Sequence, residues 1–109
     1  MKLSKIPFTQ IDWGKIRAGS VPGAAGEAAM RVHETGDIRI RIVEYSPGFR
    51  ADHFCSKGHI VHLLRGDVTI VLADGRTIGI PEGSSFIVGD DIDAHCAESS
   101  GGATVLIVD

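Results

Sequence analysis

Residues 48–66 read GFRADHFCSKGHIVHLLRG, and this stretch decides what the fold must accommodate. The chain has five histidines and two cysteines. Four of these seven residues lie within ten positions: His53, Cys55, His59 and His62. A second group, His95 and Cys96, lies near the end of the sequence. Imidazole and thiolate groups are common ligands of transition metals, so this clustering indicates a metal site and is the strongest chemical signal in the chain.

Local sequence predicts how these side chains meet. Side chains at positions i and i+2 of a strand point the same way, so His53 and Cys55 should project to one face. Residues 56–58 read as a turn, after which His59 opens the next strand and returns to the same place. His95 arrives from a distant part of the chain. We therefore predict four metal ligands, namely His53, Cys55, His59 and His95, and a divalent transition metal (zinc, iron, nickel or copper) rather than magnesium or calcium.

The remaining members of the two groups have other expected roles. His62 follows His59 by three positions, so on a strand it should point away from the site. Cys96 should face oppositely to His95, into the core or an interface. For Cys55 three roles stay open: a thiolate ligand, a small apolar side chain packed beside the histidines, and a disulfide with Cys96.

The rest of the chain reads as short strands separated by turns. Residues 38–45 alternate, with Ile38, Ile40 and Ile42 on one face and Arg39, Arg41 and Val43 on the other. The predicted strands cover residues 29–34, 38–45, 59–64, 68–72, 77–80, 85–88 and 103–108. Beyond residue 28 there is no helical period, so the sequence predicts an all-β antiparallel sandwich or barrel.

Length and charge limit the function classes. With 109 residues the chain fits one domain, which we divide into an irregular arm rich in proline and glycine (residues 1–28) and a β-domain (residues 29–109). A net charge of −3 argues against nucleic-acid binding. No apolar run approaches the roughly 20 residues that span a bilayer, so no membrane partner is expected. Without a visible secretory signal we expect the cytoplasm, where cysteines are thiols or metal ligands.

Over Tyr45 to Asp109 the sequence resembles the cupin superfamily of small β-barrels. The first cupin motif is G-x5-H-x-H-x3,4-E-x6-G. Here His53, Cys55, His59 and Gly66 occupy its positions with full spacing, although the gap after Gly48 is one residue short. Cys55 replaces the second histidine and His59 replaces the glutamate; both residue types still bind metals. The sequence is also similar to small stand-alone bacterial cupins with an Asp-His-x-Cys first motif, here residues 52–55.

The second cupin motif, G-x5-P-x-G-x2-H-x3-N, aligns in two ways. One alignment keeps Gly75, Pro81 and Gly83 but puts Phe86 in the ligand position. The other keeps His95 as the ligand but loses the proline, the second glycine and the asparagine. We prefer the second alignment, because it leaves room for the hairpin of residues 68–80 between the two motifs.

The resemblance implies a jelly-roll barrel, a homodimer, and oxygenase, isomerase or related chemistry on a small molecule. A non-catalytic, metal-stabilised barrel that binds or senses a small ligand is the alternative. Three further side chains, Arg39, Arg41 and Tyr45, share one strand face, which either binds an anionic ligand at the barrel mouth or is a solvated or dimer-contact face. Asp52 either orients a ligating imidazole or is a turn residue.

Overall fold

The structure is a computed structural model that describes residues 2–109. Within these residues, ten β-strands and one 3-10 turn (Trp13–Lys15) form the regular structure. The strands are β1 (Gly19–Pro22), β2 (Glu27–Thr35), β3 (Ile38–Tyr45), β4 (Phe49–Arg50), β5 (His59–Gly66), β6 (Val68–Leu72), β7 (Thr77–Ile80), β8 (Ser85–Val88), β9 (His95–Ser99) and β10 (Ala103–Val108). None of the helical structure in this part of the chain is long and apolar enough to cross a membrane.

The strands form two antiparallel sheets. Six strands pair in the order β1-β2-β3-β10-β5-β8, and four pair in the order β4-β9-β6-β7. Every ladder is antiparallel, as the alternating pattern predicts. The all-β prediction is confirmed. Across residues 2–109, however, no ladder joins the two sheets, so the closure into a barrel that we expected is not confirmed.

One core lies between the sheets. In β10 every second side chain is buried, and β6 shows the same period of two. In the large sheet the register places Val43, Val105 and Leu63 side by side on β3, β10 and β5, and all three are almost fully buried. They belong to the same cluster as Val68 and Ile70 of the small sheet, so the sheets pack face to face.

Sequence periodicity located most strands. Five of them, β3, β6, β7, β8 and β10, have the predicted bounds, while β2 and β5 extend further than predicted. Strands β4 and β9 were not predicted. Strand β1 lies within the arm that we predicted as residues 1–28, and it pairs along β2 from Gly19↔Met30 to Pro22↔Glu27.

Gly66, at the end of β5, and Gly83, between β7 and β8, differ in how closely other backbone atoms approach them. Gly66 and Gly83 share a φ of +85°, but a Cβ on Gly66 would overlap the carbonyl oxygen of Gly102, whereas a Cβ on Gly83 would meet nothing within 4 Å. We expect Gly83→Ala to lower the free energy of unfolding by about 1 kcal/mol through its φ alone. Gly66→Ala should cost at least about 2 kcal/mol more. Urea unfolding measures both, and equal losses would contradict the close approach.

Candidate metal centre

A cavity of about 310 Å³ lies between the sheets. Its volume is at the low end of the range typical of small-molecule sites. Much of its wall is apolar and comes from both sheets, including Val43, Leu63, Val105, Val68, Ile70 and Phe86. The polar residues on the wall include His59, His95, Cys55, Arg39 and Arg41. The cavity therefore combines an apolar body with a small set of titratable groups.

Two histidines meet at the wall of this cavity. His59 is the first residue of β5 and His95 is the first residue of β9, so each sheet supplies one ring. Their Nε2 atoms lie 2.7 Å apart, and the rings are perpendicular with centroids 4.9 Å apart. Both side chains are buried or nearly so. The pair thus brings two imidazole nitrogens to one point, as the sequence predicted.

The partners of the other ring nitrogens define the tautomers. His95 Nδ1 lies 2.9 Å from the carbonyl oxygen of Asp93, and a carbonyl can only accept, so this Nδ1 carries the proton. His59 Nδ1 lies 3.3 Å from Oδ2 of Asp109, a carboxylate, and carries the proton for the same reason. In two neutral rings both Nε2 atoms are then unprotonated. Two lone pairs consequently face each other at hydrogen-bond distance.

Cys55 brings a sulfur atom to the same point. A single antiparallel bridge ties its backbone to His95, through hydrogen bonds of 2.7 Å from Cys55 N and 3.0 Å from His95 N. One ligand atom from each of Cys55, His59 and His95 lies within 4.8 Å of the others. Cys55 and Cys96 are both free thiols, so the disulfide alternative is not formed.

Asp109 lies behind His59 and is almost fully buried. Its backbone pairs with that of Arg39, which places Asp109 between β3 and β5 at the polar end of the sheet. Its carboxylate accepts hydrogen bonds from Arg39 Nε at 3.0 Å, Arg39 Nη2 at 3.1 Å and Arg41 Nη2 at 2.8 Å, in addition to His59. The carboxylate is therefore fixed from three sides and fixes the His59 ring in turn.

Burial and charge set the protonation states of this cluster. Burial alone would raise the pKa of Asp109, but the hydrogen bond from Arg39, the charge of Arg41 and the hydrogen bond from His59 outweigh it and hold that pKa at about 2. Burial lowers the pKa of His59, and the hydrogen bond to Asp109 offsets only part of the effect. At neutral pH His59 is therefore a neutral ring beside an ionised carboxylate.

His53 lies outside the group of three. It borders the cavity, but its side chain is 76% exposed and its Nδ1 is 2.6 Å from Oδ1 of Asp52, which is itself exposed. Asp52 does orient an imidazole, as one of its two predicted roles required, but it orients the ring of His53. As a metal ligand, His53 stays a prediction that the ring's present position does not support.

The arginine face of β3 points inward. Arg39, Arg41 and Tyr45 line the cavity together with Val43, in keeping with the predicted alternation. Burial raises the pKa of Tyr45, whose ring stacks on Phe49 at 4.5 Å. The face therefore lines the cavity, and its binding of an anionic ligand stays a prediction.

Two further residues, His62 and Asp109, can be compared with the predictions from the sequence. His62 points to the opposite face of β5, as predicted, and its Nδ1 pairs with Ser85 Oγ at 2.7 Å. Asp109 was missed. The available signal was its phase, because Asp109 continues the inward series of Val105 and Ile107 at a spacing of two.

The fold resembles that of known structures, although the sequence is distant from them. No protein-family model matches the sequence, and no curated protein matches it. The polyketide cyclase RemF from Streptomyces resistomycificus superposes with a TM-score of 0.78 at 21% identity, covering 94% of this chain and 78% of RemF. A predicted oxalate decarboxylase from Thermotoga maritima gives 0.76 at 17% identity, covering 92% and 96%. A cupin-2 domain from Rhodospirillum rubrum gives 0.72 at 15% identity, covering 94% and 75%.

The chain has the cupin fold. The expectation from residues 45–109 is thereby confirmed at the level of fold, and the superpositions extend over more of the chain than the motifs did. Identities of this size carry no information about activity, because one fold supports many functions. The chemistry of this cupin-fold chain has to be argued from its own side chains.

The donor set fits a transition metal ion. Metal-bound histidines almost always donate their second ring N–H to a carboxylate or a carbonyl, and here one ring does each. Two imidazole nitrogens and a thiol sulfur are ligands for zinc, iron, nickel or copper, whereas magnesium and calcium prefer oxygen. Cys55, His59 and His95 are the residues that would hold the ion.

Asp109→Asn tests the carboxylate behind His59. The variant leaves two arginines without their buried counter-charge, so its free energy of unfolding at pH 7 should fall by about 3 kcal/mol. Because the pKa of Asp109 is lowered from 3.8 to about 2 in the folded protein, its stabilisation is present above pH 4 and lost as the pH falls from 4 towards 2. The native protein should therefore lose more stability over that interval than the variant.

The matched control is Asp74→Asn. Asp74 pairs with Arg76 on the surface, where an ion pair contributes little, so this variant should leave unfolding at pH 7 nearly unchanged. Urea unfolding at several pH values measures both variants. Parallel acid profiles for native protein and Asp109→Asn would show that Asp109 is not the group that titrates.

Proposed function

We propose that the protein holds a divalent transition metal ion with Cys55, His59 and His95 and acts as a metal-dependent enzyme on a small molecule in the cavity. One observation carries the proposal. The Nε2 atoms of the two histidines are 2.7 Å apart, while both Nδ1 atoms donate elsewhere. A shared cation would relieve the repulsion between the two lone pairs, and the nearby sulfur of Cys55 favours a metal ion.

A shared proton is the competing explanation. A proton between the two Nε2 atoms would make the pair cationic and would need no metal. Burial lowers the pKa of His59, which disfavours that charged form at neutral pH. The proximity of Cys55 also has no role in a protonated pair, whereas a thiolate is a strong metal ligand.

Three protein ligands leave room for a substrate or water. Catalytic zinc sites typically use three protein ligands, and structural sites use four. A bound ion would supply Lewis acidity toward an oxygen or nitrogen atom of the substrate. The protein's own groups would do the rest: Asp109 keeps the proton of His59 on Nδ1, and the apolar wall limits water around the reacting groups.

The neighbours in fold do not select a reaction for this chain. Proteins that share the fold include a polyketide cyclase, a predicted oxalate decarboxylase and a sugar phosphate isomerase. The oxygenase or isomerase assignment expected from the resemblance therefore stays a proposal. The same holds for the full closure of the two sheets into a barrel around the cavity.

Cobalt substitution tests the thiolate ligand. Co²⁺ bound to the native protein should give a sulfur-to-metal charge-transfer band in the near ultraviolet, and Cys55→Ala should abolish that band. Cys96→Ala is the matched control and should keep it, because Cys96 is a free thiol on the cavity wall that lies outside the three-residue group. Since the thiol must lose its proton to bind, Co²⁺ affinity should fall as the pH is lowered. Absence of this Co²⁺ absorption band in the native protein would refute the proposal.

Zinc affinities of histidine variants separate ligands from neighbours. Loss of a true ligand should weaken binding strongly, so we expect His59→Ala and His95→Ala to lose at least about 100-fold, more than the effect typical of a supporting partner. His53→Ala should lose less than tenfold, because its ring lies outside the group. Competition with a chromogenic chelator measures all three. A His53→Ala loss as large as the others would restore the four-ligand site predicted from the sequence.

Two further expectations remain proposals. If the ion is bound but no turnover is found, the alternative is a non-catalytic module that binds or senses a small ligand, and a co-purified molecule found by mass spectrometry would identify it. Homodimer formation is supported by Ile60 and Ile87, which are cross-strand neighbours on the outer face of the large sheet and are exposed. The molar mass in solution would measure the oligomeric state.

A further inference from the structure

Arg41 is buried in the wall of the cavity. On β3 it lies opposite Ile107 of β10, one step along the inward face from Arg39. Its side chain is only 12% exposed, compared with 38% for Arg39. A charged side chain in such a position normally has its donors paired.

The donors of Arg41 are not all used. A guanidinium group has five N–H donors in a planar fork. Nη2 of Arg41 donates to Asp109, but its Nε is buried and has no hydrogen-bond partner in residues 2–109. Asp109 cannot supply a further acceptor easily, because its oxygens already accept from Arg39, Arg41 and His59. One buried donor of a cation therefore lacks an acceptor.

The charges around Arg41 also leave room for a further anion beside it. Arg39 and Arg41 carry two positive charges, and Asp109 supplies one negative charge. Burial and the charge of Arg39 lower the pKa of Arg41. The carboxylate among the cavity-lining residues, Asp52, is exposed and paired with His53. The cavity wall thus carries two arginines that share one carboxylate, while a second acidic residue, Glu34, acts on Arg39 and not on Arg41.

The wall beyond Arg41 is apolar. The next row of the large sheet is Val43, Val105 and Leu63, and Phe49 and Phe86 also line the cavity. A ligand that fills about 310 Å³ would place most of its surface against hydrocarbon. The wall therefore favours a ligand that has an apolar body and one anionic group.

We propose that the cavity binds a small organic acid, with its carboxylate paired with the guanidinium group of Arg41 and its apolar body lying among Val43, Leu63 and Phe86. This proposal rests on the proposed function, because it takes the same cavity as the substrate site. It names the substrate class that the metal site alone leaves open. It also assigns Arg41 as the residue that selects for the carboxylate.

Binding to metal-free protein tests the proposal without the ion. After dialysis against a chelator, the protein is titrated by calorimetry with butanoate, hexanoate and octanoate, and with hexanamide as the neutral match of hexanoate. A charge-assisted hydrogen bond predicts that hexanoate binds at least about tenfold more tightly than hexanamide. Equal affinities, or no binding of any of the three acids at 10 mM, would overturn the proposal.

Variants of Arg41 test whether this residue causes the preference for hexanoate over hexanamide. Arg41→Met should remove it, and Arg41→Lys keeps a charge beside Asp109 while removing the planar guanidinium fork, so it too should reduce the preference about tenfold. Arg31→Met is the matched control, because Arg31 lies on the outer face of β2, pairs with Glu44 and should leave the preference unchanged. Circular dichroism checks that each variant folds. If Arg41→Met does not fold, Arg41→Lys decides alone: a preference that persists in it refutes the role of Arg41.

The Co²⁺ spectrum keeps this proposal distinct from the metal site. A protein that selects hexanoate but gives no cobalt spectrum would refute the proposed function and keep the organic-acid site. A protein that binds Co²⁺ but treats hexanoate and hexanamide alike would refute the organic-acid site and keep the metal centre.

Discussion

The carboxylate of Asp109 is the constraint on which the candidate site depends. It is buried, and it binds two arginines and one histidine at once. A lone buried carboxylate would be very costly, and the arginines compensate for its desolvation. In return the carboxylate keeps the arginines inside and holds the His59 proton on Nδ1, which turns the Nε2 lone pair toward His95. One ionised group thus sets both the tautomer of a candidate ligand and the charge at the polar end of the cavity.

The two-sheet architecture explains how distant residues reach one place. His59 begins a strand of the large sheet, and His95 begins a strand of the small sheet. Packing of the apolar rows between the sheets fixes the distance between these strands, so the core also sets the spacing of the two rings. The strands that carry the two histidines belong to one packed body, which is the rigid support that a precise arrangement of ligands requires.

Residue type and periodicity predicted much of this arrangement. Strands with alternating apolar side chains, such as β10, were located to the residue. Strand β9 was missed because its sequence, HCAES, does not alternate in hydropathy, and its conformation depends on pairing with β4 and β6. His53 was grouped with Cys55 on the assumption of a regular strand, but residues 51–54 lie outside the ladders, so spacing by two does not hold there. Asp109 acquires its role only from neighbours on β3 and β5, which no local pattern reveals.

The way Cys55 is held has a consequence for which ligand can adjust. Both histidines belong to ladders of the two sheets, whereas the backbone of Cys55 is joined to the small sheet by a single bridge. A sulfur on such a segment shifts more easily than either imidazole nitrogen. In the proposed site, ions of different radius would therefore be accommodated by movement of the thiolate, while the two nitrogens keep their spacing.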